Sequence, residues 1–93
     1  MTGNKKRIKL SSLLSSISTS SLHVEIKKSS RGLIAVISGV IAISEYTEDT
    51  VELLSHSGRI SFMGDSMEIS VLEGRIVEIY GRISEVRFSY GKT

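Results

Sequence analysis

The sequence contains no cysteine, no proline and no tryptophan, and aromatic residues make up only 5% of it. Without cysteine there can be no disulfide and no thiolate metal site, and the protein suits a reducing compartment, so we predict a cytoplasmic location. No apolar run approaches the roughly 18 residues of a membrane-spanning helix, which predicts no transmembrane segment. A chain of 93 residues has room for one domain with a small core. Because such domains often gain stability by association, we expect a homo-oligomer.

Charge is distributed unevenly along the chain. Residues 1–32 hold seven basic residues against one acid, a balance of +6, whereas residues 33–93 hold five basic residues against nine acids, a balance of −4. The first basic cluster consists of Lys5, Lys6, Arg7 and Lys9. Such a cluster is typical of a solvated tail, but it can also bind an anionic surface or reach the acidic body of a neighbouring copy. These four residues are therefore the candidate anion-binding site.

The first 21 residues differ in composition from the rest. Residues 11–21 are rich in serine. Apolar residues with the spacing of one helix face are Leu10, Leu13, Leu14 and Ile17. Serine is a mediocre helix former, so an isolated helix of this composition would be mostly unfolded. We predict a flexible or weakly helical basic arm over residues 1–21 and a β domain over residues 22–93.

From Leu22 onward, apolar and polar residues alternate in short runs, as Leu22, Val24 and Ile26 illustrate. This period of two predicts six or seven half-buried β-strands between Leu22 and Tyr90. Two runs, 33–37 and 40–43, are apolar at nearly every position, so we expect both of their faces to be covered, either by the fold or by another chain. In the second run, the candidate residues for self-association are Val40, Ile41 and Ile43.

Glycines punctuate the predicted strands. Short connections containing glycine predict hairpins at residues 55–58, 64–65 and 73–74, and strands joined so closely must pair antiparallel. The triplet Gly-Arg-Ile begins at residues 58, 74 and 81, which suggests a reused hairpin unit. The glycines assigned to turns and to shaping the fold are Gly39, Gly58, Gly64, Gly74 and Gly81. We predict an all-β fold, a small antiparallel meander folded into a roll or sandwich, with a short β-helix as the alternative.

Catalytic and metal-binding patterns are weak in this sequence. His23 alternates outward on a predicted strand, and His56 lies in a predicted turn, so neither is placed to activate a serine. Two distant histidines without cysteine make a poor transition-metal site. The densest acidic group, at residues 45–52, lacks the spacing of a calcium loop and is typical of a solvated connection. We therefore predict no enzyme activity, no metal and no cofactor.

Arginines accompany aromatic residues near the end of the chain, a combination that suits nucleic-acid binding by a sheet. The arginines are Arg59, Arg75, Arg82 and Arg87, beside Phe88 and Tyr90. Such a face could stack bases and hold phosphates. The acids interleaved with them are Glu68, Glu78 and Glu85. Cross-strand ion pairs between the two sets are the favoured interpretation, which disfavours nucleic acid as a partner.

Glycines and apolar residues form an ordered set in the second part of the chain. The set consists of Ile37-Ser38-Gly39-Val40, Ile43, Tyr46, Leu53, Gly58, Ile60, Phe62, Gly64, Met67, Ile69, Leu72, Ile76-Val77-Glu78-Ile79-Tyr80-Gly81-Arg82-Ile83, Val86 and Phe88. This set resembles the YabP/YqfC family of endospore-formation proteins. It covers about Leu22 to Tyr90, and the intact segment from Ile76 to Ile83 is closer to the YabP type. The arm over residues 1–21 is not part of the resemblance.

The resemblance implies a protein of the mother cell, acting in the cytoplasm near the forespore envelope, and it implies no reaction. We therefore predict a non-catalytic structural or assembly protein that acts through protein–protein contacts, with identical copies or with a membrane-associated sporulation protein. The alternative is a module that binds nucleic acid or an anionic membrane through the basic arm.

Overall fold

The structure is a computed structural model, and it describes residues 5–9, 16–18, 22–30 and 32–90. These residues form strands and short connections and no helix, which confirms the all-β prediction. The strands are β1 (Lys5–Lys9), β2 (Ser16–Ser18), β3 (His23–Ser29), β4 (Gly32–Ser38), β5 (Ala42–Tyr46), β6 (Thr50–Ser55), β7 (Gly58–Glu73) and β8 (Ile76–Tyr90). Six of them lie between Leu22 and Tyr90, within the predicted number. None of the described segments could cross a membrane as a helix.

All strand pairs are antiparallel and belong to one sheet with the order β2-β3-β4-β8-β7-β6-β5. Strands β5 to β8 form a meander, and the β3–β4 hairpin joins the sheet where β4 pairs with residues 76–81 of β8. Strand β1 continues along the same edge of β8, pairing with residues 85–89. The meander prediction is confirmed. The β-helix alternative is wrong, because its coils would stack strands in parallel.

The long β7–β8 hairpin folds back on itself. A straight strand the length of β7 would span roughly 50 Å, at about 3.4 Å per residue. Yet the far end of the hairpin returns to the beginning of β7 through a short series of backbone contacts. At the hairpin tip, the carbonyl of Arg75 accepts a hydrogen bond from Val40 N at 3.1 Å. The next amide, Ile41 N, donates to Leu54 O at 2.8 Å. Leu54 in turn pairs with Arg59 near the beginning of β7. Two halves of one sheet therefore face each other as a roll.

The bend is made by two glycines inside strands. At Gly64 the register of β7 on β8 shifts, and a Cβ there would lie 2.1 Å from the carbonyl oxygen of Arg82. Gly81 has φ of 153°, and a Cβ there would lie 2.8 Å from the Cα of Met67. Between them Ser66 adopts a positive φ of 54°, which non-glycine residues rarely do. The prediction of a turn at Gly64 and Gly81 is wrong, because close backbone approach in a bulged strand, rather than chain reversal, requires glycine here.

A single apolar core fills the space between the halves. Its buried members are Leu22, Val24, Ile26, Ala35, Ile37, Val40, Val51, Leu53, Ile60, Phe62, Met67, Val77, Ile79, Ile83, Val86 and Phe88. Strands from both halves contribute alternate residues, as a period of two requires. The prediction of full cover on both faces holds in part for residues 33–37, where Ala35 and Ile37 are buried and the others are half-buried. Within the fold, residues 40–43 are covered only in part, because Ile41 is 48% exposed, so the cover of this run by another chain stays a prediction.

Two of the three predicted hairpin turns are confirmed. Residues 56 and 57 connect β6 to β7, and the hydroxyl of Ser55 accepts from Ser57 N and donates to Gly58 O. Gly74 and Arg75 connect β7 to β8, with Gly74 at φ of 61°. Gly39 lies in the bend after β4 with φ of 94°.

The described parts of the arm are extended. Strand β1 pairs with β8, and β2 pairs with residues 23–25 of β3. The weakly helical interpretation therefore does not hold at Ile17, which lies in β2, whereas Leu10, Leu13 and Leu14 lie outside the described residues. The division of the chain after residue 21 stays a prediction.

Candidate interaction surface

The sheet presents different strand edges on the two sides of the β7–β8 hairpin. On the β8 side the outer strands are β1 and β3, and β2 covers β3 only at residues 23–25. On the β7 side the outer strands are β5, which pairs only with β6, and residues 68–73 of β7, which pair only with β8. Within the described chain, these edges have backbone groups without a partner strand, and such edges readily receive another chain.

The edges on the β8 side are basic. Strand β1 carries four basic residues in five, and it contains all of the candidate anion-binding residues Lys5, Lys6, Arg7 and Lys9. Lys27 and Lys28 are exposed on β3, beyond the part that β2 covers. We call β1 together with residues 26–29 of β3 the basic edge. The structure thus places the strands that carry these six basic residues on one side of the sheet.

The edges on the β7 side are acidic. Their exposed carboxylates belong to Glu45, Glu48, Asp49, Glu68 and Glu73, with Arg75 at the hairpin tip. No ion pair to these five occurs among the side chains that the structure describes. We call residues 45–49 together with residues 68–73 the acidic face. The predicted solvated acidic connection is part of this face, except that Glu52 lies on β6 and has local partners.

Two hydrogen bonds hold the parts of the acidic face together. The hydroxyl of Tyr46 accepts from Ile69 N at 2.9 Å, and the carbonyl of Glu48 accepts from Met67 N at 3.0 Å. Between these segments lies an open cleft of about 470 Å³. The Tyr46 contact could not be predicted from the sequence, because its partner is 23 residues away and is a backbone amide.

Large apolar side chains are exposed at the acidic face and beside it. They are Ile41 at 48%, Tyr46 at 50%, Leu72 at 64% and Ile76 at 45% exposure. Of the residues predicted for self-association, Val40 lies in the protein's own core and Ile43 packs against that core. Only Ile41 therefore presents much of its surface, and its role in self-association stays a prediction. Leu72 was missed in the sequence: after the register shift between Ile69 and Val71 it pairs with the buried Val77, yet it is itself exposed.

The arginines do not form a nucleic-acid-binding face with the aromatic residues. Phe88 is 1% exposed and Tyr90 packs on it with ring centroids 4.6 Å apart, so Phe88 cannot stack on a base. Three arginines lie near carboxylates: Arg59 with Glu52 at 3.7 Å, Arg82 with Asp65 at 3.6 Å and Arg87 with Glu85 at 3.1 Å. Ion pairing was predicted, but Glu52 and Asp65 were not the predicted partners. Glu78 instead accepts from the hydroxyl of Ser70.

The two histidines lie in different elements of the sheet. His23 contacts Glu25 at 3.3 Å on β3, and His56 is exposed in the β6–β7 turn. Among the described residues, no three histidine, aspartate or glutamate side chains are grouped as metal ligands would be. The predictions of no enzyme activity, no metal and no cofactor stay predictions.

Comparison with known proteins identifies the family of this chain. No curated protein and no solved structure matches it. The model of the YabP family matches residues 20–93, which include all of the core strands β3 to β8 and exclude β1 and β2. The chain therefore belongs to the YabP family.

Proposed function

We propose that this protein is a non-catalytic structural or assembly component of endospore formation that works by contact between identical copies in the mother cell. Membership of the YabP family supports the link to spore formation. The contact with a membrane-associated sporulation protein near the forespore envelope is a further part of the proposal, and it would use the same surfaces.

The observation that carries this proposal is the exposure of large apolar side chains beside strand edges. Leu72 is 64% exposed at the end of β7, and Tyr46 is 50% exposed on β5. Single exposed apolar residues are common on proteins, but here they accompany edges that lack a partner strand in the described chain. Burying such residues against another copy would also support a small core.

Sedimentation velocity and light scattering over the micromolar range test the proposal. We expect species larger than a monomer whose proportion rises with concentration. Leu72→Gln should shift the equilibrium toward monomer, because it removes apolar surface without disturbing the core. Arg82→Gln is the matched control, since Arg82 is exposed on a central strand. A strictly monomeric wild-type protein at every concentration would contradict the proposal.

A second function is favoured by the basic edge strand β1. Four basic residues in an extended strand at the sheet edge could bind an anionic membrane or nucleic acid. Binding to vesicles rich in anionic lipid, or to DNA, should then weaken steeply with added salt. The variant Lys5→Gln/Lys6→Gln/Lys9→Gln should lose most of it. Absent or salt-insensitive binding would reject this function.

A further inference from the structure

The basic and acidic parts of the sequence also lie on different sides of the folded molecule. The basic edge lies on the β8 side of the long hairpin, and the acidic face lies on its β7 side. In both halves of the roll the pairing order runs from a basic outer strand to an acidic one: from β3 to the end of β7 in one half, and from β1 to β5 in the other. Each molecule therefore carries two surfaces of opposite charge on opposite sides of the long hairpin.

Resting on the function proposed above, we propose that copies associate head to tail, with the basic edge of one molecule against the acidic face of the next. The occupant of the acidic face is thus a second copy of this chain. Opposite charges facing each other favour encounter and fix the orientation of the partners. The exposed side chains of Tyr46 and Leu72 lie on the acidic face, where they would be buried by the contact.

Charge argues against the symmetric alternatives. Two acidic faces in contact would bring Glu45, Glu68 and Glu73 of each copy together, and two basic edges would bring together the lysines of β1 and β3. Like charges that face each other across an interface are strongly unfavourable. A contact between two different surfaces does not close on itself as a symmetric dimer does, so it produces a ring or an open chain of molecules.

The residues on each surface allow a test by exchange of charge. The first variant reverses the acidic face from −5 to +1 with Glu45→Lys, Glu68→Lys and Glu73→Lys. The second variant reverses the basic edge from +6 to −2 with Lys5→Glu, Lys6→Glu, Lys27→Glu and Lys28→Glu. Glu45, Glu68, Glu73, Lys27 and Lys28 are all exposed, so the substitutions avoid the core. Circular dichroism and thermal melting identify any variant that fails to fold.

The head-to-tail arrangement predicts a distinctive result by light scattering and native mass spectrometry. Each variant alone should be largely monomeric at concentrations where the wild type associates. An equimolar mixture should associate again, because every contact then joins opposite charges, and its complexes should contain the two variants alternately. Raising the salt concentration should weaken association of the wild type at least about tenfold, since exposed charges are screened.

The outcomes distinguish a failure of the head-to-tail contact from a failure of the proposed self-association. If the wild type associates and the single variants associate equally well, the head-to-tail contact is wrong and self-association through another surface stands. The same holds if the wild type forms only a dimer that salt does not weaken. If the wild type is monomeric throughout, both the inference and the proposed function fail. If a variant does not fold, the salt dependence and size of the wild-type complexes decide.

Discussion

The bend and the tip of the β7–β8 hairpin carry the same tripeptide in opposite surroundings. Gly81-Arg82-Ile83 lies at the bend, where a Cβ on the glycine would meet the backbone of Ser66 and Met67 at 2.8 Å. Gly74-Arg75-Ile76 lies at the tip, where nothing is within 4 Å of such a Cβ. The isoleucines differ in the same way, since Ile83 is 5% exposed and Ile76 is 45% exposed. The tripeptide thus indicates a backbone conformation that depends on glycine. Tertiary contacts decide whether the strand bends or ends at that glycine.

The largest expected effect comes from adding a methyl group at the bend. Gly81→Ala combines a backbone conformation that is nearly restricted to glycine with overlap on the neighbouring strand, so we expect a loss of at least about 3 kcal/mol in the free energy of unfolding. Urea denaturation measures it. Gly74→Ala is the control, and its cost should be about 1–2 kcal/mol, since only the left-handed conformation is strained. Equal losses at both glycines would contradict the distinction between bend and tip.

The second effect compares isoleucines in the same strand. Ile79 is fully buried beside the bend, and its replacement by alanine should cost about 2–5 kcal/mol through lost burial and a new cavity. Ile76→Ala at the exposed tip should change stability by no more than about 0.5 kcal/mol. Thermal melting of both variants checks the difference. A large loss for Ile76→Ala in dilute, monomeric protein would show that the tip is covered.

The third effect concerns the contact between β5 and the end of β7. Tyr46→Phe removes the acceptor of the Ile69 amide, and we expect a loss of about 0.5–1.5 kcal/mol. Hydrogen exchange at Ile69 should become faster, while exchange at Ile79 should follow only the global change in stability. Tyr90→Phe serves as the comparison, because Tyr90 packs on Phe88 through its ring. Unchanged exchange at Ile69 would exclude the hydrogen bond.

The smallest expected effect is an increase in the free energy of unfolding, at Ser66. The left-handed backbone at Ser66 costs free energy in the folded state. Ser66→Gly should therefore stabilise the protein by up to about 1 kcal/mol, after the greater entropy of glycine in the unfolded chain is subtracted. Ser66→Val should be destabilising, because a β-branched residue tolerates positive φ poorly. The two midpoints of denaturation should therefore lie on either side of the wild type. A stabilising valine would show that the backbone at Ser66 is extended.

The sequence predicted the strands and much of the core because a period of two records which face of a strand is covered. It also located the hairpin turns at residues 56–57 and 74–75 from local glycine chemistry. It could not distinguish Gly64 and Gly81 from turn glycines, since the atoms that exclude a Cβ there belong to distant residues. The exposure of Leu72 was missed because a register shift between Ile69 and Val71 precedes it, and this shift depends on the pairing of β7 with β8.

Only the charge of the basic edge and the acidic face could be predicted from the sequence. The +6 and −4 balance of residues 1–32 and 33–93 predicted a basic and an acidic region. Their placement on opposite sides of the long hairpin depends on the pairing of β4 and β1 with β8, and these pairs join residues far apart in the sequence. Long-range strand pairing of this kind leaves no local signal in the residues involved.

The bend itself is open to direct measurement, because a chain without cysteine accepts spin labels only where cysteines are introduced. Arg59→Cys/Arg75→Cys places one label at the start of β7 and the other at the hairpin tip. Double electron–electron resonance should give a distance of about 20–30 Å, since backbone contacts connect the two positions through residues 40, 41 and 54. A distribution centred near the roughly 50 Å of a straight hairpin would contradict the folded-over sheet and the placement of both charged surfaces.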